Sequence, residues 1–199
     1  MSRNLILKAA VIGEGGLLVL ALGWYFFSET RIPLTYSTPL LFWGIIATIP
    51  VFVLNLGCYI LSQKFPAHLR QISRFSKEIV IPLCRNLDPF SALVIALLSG
   101  ICEEVFFRGF LLDLLRAYFS VETAILGSSL VFAYAHLVGL FRTYWLIFLI
   151  YLAIAFYFSF LTLYFSSLLP AIVSHTLYNF VAILYLHYYS KSFEEPSES

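Results

Sequence analysis

Residues 90–112 read FSALVIALLSGICEEVFFRGFLL. At about 1.5 Å per residue, a helix of this length crosses the ~30 Å hydrocarbon layer of a bilayer. Near its middle stand Glu103, Glu104 and Arg108. A charge at bilayer depth costs at least about 2.5–3.5 kcal/mol, so charged residues held there mark a site. The apolar run is continuous, whereas a membrane barrel strand alternates apolar and polar residues. The stretch is therefore a transmembrane helix carrying chemistry.

Similar apolar windows fall at 5–27, 39–62, 121–141, 144–166 and 168–189. Together they predict an all-α, polytopic transmembrane helical bundle of about six spans. Composition agrees: 61% of residues are hydrophobic, 12% are charged and the mean hydropathy is +0.90. A soluble domain carries about 25% charged residues. Aromatic residues reach 18%, as lipid-facing surfaces and interfacial belts require. A net charge of +1 gives no basis for a nucleic-acid partner. Cys58, Cys84 and Cys102 have no paired spacing, hence no disulfide or metal signature. The first run continues to Phe27 without a small-residue cleavage pattern, so it reads as a retained anchor.

The chain divides into a two-span region with a basic segment (1–89), a helical core (90–190) and a short acidic tail (191–199). Within the basic segment, Leu69, Ile72, Phe75 and Ile79 recur at three- and four-residue steps. Two readings stand: a helix on an anionic membrane surface, or a solvated loop. Lys and Arg set the topology. With both termini cytoplasmic, Arg3, Lys8, Lys64, Arg70, Arg74, Lys77, Arg85, Arg142 and Lys191 lie inside, and Arg31 and Arg116 outside.

Three polar motifs interrupt separate spans: Glu103-Glu104-x-x-x-Arg108, Phe132-x-x-x-His136 and His175-x-x-x-Asn179. Glu104 and Arg108, four apart, share a helix face and form an ion pair. Glu103, turned by one residue, is left to face the bundle as a base. Gly100 and Gly109 flank the motif and admit close neighbouring helices. The blander reading is a buried ion pair plus a Glu used in packing. Phe132 steadies His136 from the same face, and His175 and Asn179 offer two donors one turn apart. These parts fit peptide hydrolysis: Glu103 and His136 deprotonate a water, and His175 with Asn179 stabilises the oxyanion. Glu103, His136 and His175 also form a reasonable zinc triad, although no His-Glu-x-x-His helix is present. His68 and His187 read as interfacial. Glu14, within Gly13-Glu14-Gly15-Gly16, lines a cavity or pairs with Lys8, and its glycines read as a close helix-packing surface.

In this order and on separate spans, the three motifs resemble those of the CPBP family, which groups CAAX prenyl proteases, bacterial Abi proteins and bacteriocin-processing relatives. The resemblance covers roughly 90–185. It implies a glutamate-type intramembrane endopeptidase acting on a membrane protein or peptide within the lipid bilayer. It implies Glu103 as base with His136, His175 and Asn179 as the oxyanion hole, and Glu104, Arg108 and Phe132 in support. It implies no cofactor, with zinc as the alternative because the family has also been described as metal-dependent. The chain's size places it among bacterial inner-membrane members. A non-catalytic immunity or scaffold protein and a proton-coupled carrier are the competing classes. One tension remains: His136 falls about 15 residues into its window and His175 about seven into the last, at different depths. A tilted or re-entrant start to the last span, near Pro170, would reconcile them.

Overall fold

The computed structural model describes residues 2–28 and 31–191. They fold as seven helices with no strand among the described residues. Helix α1 spans Arg3–Ser28 and α2 Thr38–Lys64. Helix α3 (Pro66–Phe75) continues through a π-helical turn, Ser76–Val80, into Ile81–Cys84. Helix α4 is Pro89–Arg116, α5 Val121–Ala135, α6 Trp145–Phe165 and α7 Leu169–Lys191. Residues 192–199, which hold most of the acidic tail, lie outside the described residues.

Helix starts are written locally. Ser37 and Asp88 accept hydrogen bonds from the Leu40 and Ser91 amides, each followed by a proline in the first helical turn. Ser120 caps α5 through the Thr123 amide. Such caps satisfy donors that a helix end leaves open, and proline there gives up no internal bond.

Five helices are long and apolar enough to cross a membrane: α1, α2, α4, α6 and α7. The expected window 121–141 behaves differently. Its helix stops at Ala135 after 15 residues, about 22 Å of rise, and the chain turns through Leu137, Leu140 and Thr143 by three-residue backbone bonds. Gly139, at φ +75°, takes the left-handed step in that turn. The seven helices are thus five long enough to span, the short apolar α5 and the basic α3.

Helix α4 is central: 56% of its apolar window is buried, against 11% for α1 and 39% for α6. Glycines set its closest approaches. A Cβ at Gly100 would overlap Thr176 of α7, and one at Gly109 would come within 2.7 Å of the Tyr25 hydroxyl of α1. Both glycines thus admit neighbouring helices, as their flanking positions predicted.

The basic segment is helical, and its apolar face meets protein, which corrects the loop reading. Phe75 is buried against Leu137, Tyr144 and Ile147, with Ile72 and Ile79 alongside. Gln71 accepts a hydrogen bond from the Leu146 amide at the start of α6. Helix α3 therefore braces the turn that follows α5. His187, expected at an interface, is 5% exposed, and its Nδ1 donates to the Arg85 carbonyl.

Candidate active site

The acidic motif straddles a change in helix geometry. Up to Glu104 the chain is α-helical; Val105–Leu111 then forms a π-helical turn. Such widened turns inside helices occur frequently at functional sites. Glu104 is fully buried and Arg108 is 2% exposed. Arg108 Nη1 donates to Glu104 Oε1 at 3.1 Å and Nη2 to the Ala155 carbonyl at 3.3 Å. The guanidinium carbon lies 4.3 Å from the Phe132 ring centroid. Ion pair, carbonyl and ring together hold a charge that the interior would otherwise reject.

Glu104 also binds the last motif: His175 Nδ1 is 2.7 Å from the same Oε1. A carboxylate only accepts, so Nδ1 carries the proton and Nε2 is the free ring nitrogen. Phe158 stacks on this imidazole at 5.2 Å. Four residues on, Asn179 Nδ2 donates to Ser99 Oγ at 2.8 Å, and Ser99 donates onward to the Ala96 carbonyl. That chain fixes the amide and leaves its second N–H uncommitted.

His136 follows the last residue of α5. Its Nδ1 lies 3.0 Å from the Phe132 carbonyl, which can only accept, so Nδ1 holds the proton. Phe132 and Tyr151 flank the ring at 4.3 and 4.5 Å. Nε2 faces Glu103 Oε2 at 3.5 Å, and Oε2 has no hydrogen-bond partner. Two acceptors therefore confront one another beside a cavity.

The cavity holds about 380 Å³, and His136, Tyr151, His175 and Asn179 contribute to its wall with Phe132 and Phe158. Glu103, 6% exposed, sits next to that wall at His136 rather than on it. The structure thus gathers all three motifs at one place, with Glu103 bonded to neither His175 nor Asn179.

The apparent difference in depth has a physical cause. Helix α7 starts inside the protein: Ser167, Leu168 and Ala171 are fully buried. The Leu168 amide donates to the Pro33 carbonyl and Ser167 Oγ to the Thr35 carbonyl, so the segment before α2 roofs over this start. A sunken start for α7 and an early stop for α5 bring both histidines level with Glu103.

Residues 85–181 match the model of the type II CAAX prenyl endopeptidase Rce1-like family. That stretch, just under half of the chain, is similar to the Rce1-like family. It contains all three motifs and agrees with the family the motifs resemble. Comparisons with curated proteins and with solved structures give no match. The Rce1-like family is a protease family, and the apolar helices make this chain an integral membrane protein.

Several residues of the candidate site escaped the sequence reading. Ser99, Tyr151 and Phe158 look like ordinary filling of apolar helices, and only packing shows what they hold. For Glu14 the sequence offered a cavity wall or Lys8 as partner, whereas its carboxyl hydrogen-bonds that of Glu103. It makes no ion pair with Lys8, and Gly13, Gly15 and Gly16 have nothing within 4 Å of an added Cβ. Those glycines are not a helix-packing surface. A zinc site needs at least three converging protein donors. Among the described residues no group of three or more His, Cys, Asp or Glu is placed to hold a metal ion.

Proposed function

We propose that the chain is an intramembrane endopeptidase in which Glu103 and His136 activate a water and His175 and Asn179 stabilise the oxyanion. The observation that carries this reading is the pair of facing acceptors, His136 Nε2 and Glu103 Oε2, 3.5 Å apart. A water between them donates one hydrogen to each, which turns its lone pairs outward as a nucleophile. Its oxygen bonds to the scissile carbonyl carbon while its proton passes to Glu103. The oxyanion meets the uncommitted N–H of Asn179 and, with the ring doubly protonated against Glu104, His175 Nε2–H. Collapse breaks the C–N bond, and Glu103 returns the proton to the leaving amine. The products are a carboxylic acid and an amine, so water and peptide are fully accounted for. Each oxyanion donor contributes about 2.7–4 kcal/mol when aligned.

Phe132, Arg108 and Glu104 support this set by fixing the two imidazoles. The substrate is a membrane protein or peptide whose scissile bond reaches the cavity from the bilayer. The reading is metal-free. Both termini are assigned to the cytoplasmic side of a bacterial inner membrane on the Lys/Arg bias, with the short α5 counted as the sixth crossing.

The test uses N-terminal proteomics of a strain lacking the chain, complemented by variants. Uncleaved precursors should vanish with the wild type and persist with Glu103→Gln or His136→Ala, both still membrane-inserted. Processing at the wild-type rate by either variant would refute the mechanism. A stoichiometric ion retained by active, chelator-washed protein would refute its metal-free form.

A further inference from the structure

Helix α1 lies outside the family match and carries one carboxyl group, Glu14, at the middle of a membrane-crossing helix. It makes no ion pair among the described residues. Its partner is Glu103, through a carboxyl–carboxyl hydrogen bond, and Oε2 of each residue is buried without a hydrogen-bond partner. The remaining titratable groups around it are His136 after α5, His175 on α7 and the Cys102 thiol on α4. The three glycines beside Glu14 wall it with no side chain, so the hydrogen bond is what orients it.

Two ionised carboxylates have four acceptor oxygens and no donor, so they cannot bond to each other. Like charges at that separation also do not both ionise in a dry site. One proton must therefore reside between them. We propose that Glu14 is a positioning residue for Glu103: its protonated carboxyl donates to the Glu103 carboxylate and keeps Oε2 aimed at His136 Nε2. The inference rests on Glu103 being the base of the proposed reaction. Glu14 gives up no proton in the cycle; it keeps the second carboxyl neutral and the first one in register. Helix α1 thereby completes a site whose motifs all lie within α4, α5 and α7.

Two measurements test this, one of them independent of proteolysis. Infrared difference spectra of the purified protein in lipid nanodiscs at neutral pH should contain the carbonyl stretch of a protonated carboxyl in the wild type. Glu14→Gln should abolish that band. A wild-type spectrum without it, or a band that survives in Glu14→Gln, would overturn the proposal. Kinetics use a peptide copy of a precursor that accumulates in the deletion strain. Glu14→Gln, whose amide still donates, should stay within about threefold of wild type. Glu14→Leu should lose at least about tenfold in kcat, the worth of one hydrogen bond to a charged group, at unchanged KM. The acid limb of its pH–rate profile should move to higher pH, a change that mere loss of packing does not produce. Wild-type kinetics and profile in Glu14→Leu, or failure of Gln to rescue, would overturn the role. If Glu14→Leu does not fold, the infrared band and the Gln rate decide. A wild-type protein that cleaves no precursor would sink the protease reading and leave the infrared test of the pair standing.

Discussion

Replacing Arg108 by Met leaves Glu104 with His175 as its one remaining partner, without shortening the apolar stem. The two side chains are 1% and 0% exposed, with nitrogen and oxygen 3.1 Å apart. Two unit charges about 4 Å apart at an effective dielectric of about 20 attract by about 4 kcal/mol. The guanidinium also loses its bond to the Ala155 carbonyl and its seat over Phe132. Against this, the variant no longer has to desolvate a guanidinium. Breaking one side of a buried pair costs about 3–5 kcal/mol in balance, here moderated because a membrane-embedded unfolded chain also finds polar partners. Glu104→Leu added to Arg108→Met removes the carboxylate that has lost its guanidinium, and with it the acceptor of the His175 N–H. The double variant should therefore cost less than the sum of its two single variants, by about 1 kcal/mol or more. Equilibrium unfolding in mixed micelles measures all four corners of the cycle. Single effects that add to within about 0.5 kcal/mol would mean that the two residues do not interact, and the account of how this motif tolerates burial would fail.

Two further outcomes follow from packing and charge. In Gly100→Ala the new Cβ would stand 2.9 Å from the Thr176 nitrogen and 3.1 Å from its Cα, so α7 must yield by a few tenths of an ångström. His175 is the adjacent residue, and a displacement of ~1 Å at a catalytic group costs about 10²-fold. Precursor processing should fall about tenfold with helix content intact; a wild-type rate would show that α7 need not seat so closely. At the edge of the bundle, hydrogen bonds from Arg74 and then from Tyr144 hold the exposed Glu78 carboxyl below its ordinary range. A carboxyl depressed in the folded state stabilises it above the unfolded pKa, and that support is lost as pH falls through the folded pKa. Amide protection over 66–84, taken relative to the intrinsic exchange rate at each pH, should therefore fall on acidification in the wild type. Glu78→Gln should remove that pH dependence, and an identical response in both proteins would exclude Glu78 as its source.

The sequence alone determined that the chain is a helical membrane bundle, because twenty-odd continuous apolar residues have no other way to satisfy their backbone in lipid. It also determined the motif residues, since charge and imidazole at bilayer depth are too costly to be incidental. The Glu104–Arg108 pair and the Phe132–His136 stack were legible too, for residues four apart on a helix must meet. Tertiary structure decided everything that depends on where one helix lies against another. The depth of α7 follows from the roof built by residues 31–37, the early end of α5 from a turn braced by α3, and the pairing of Glu14 with Glu103 from two helices nearly ninety residues apart in sequence. Hydropathy measures each segment against lipid, one at a time, so it carries no term for contacts between segments. Those contacts turn three separate motifs into a single site.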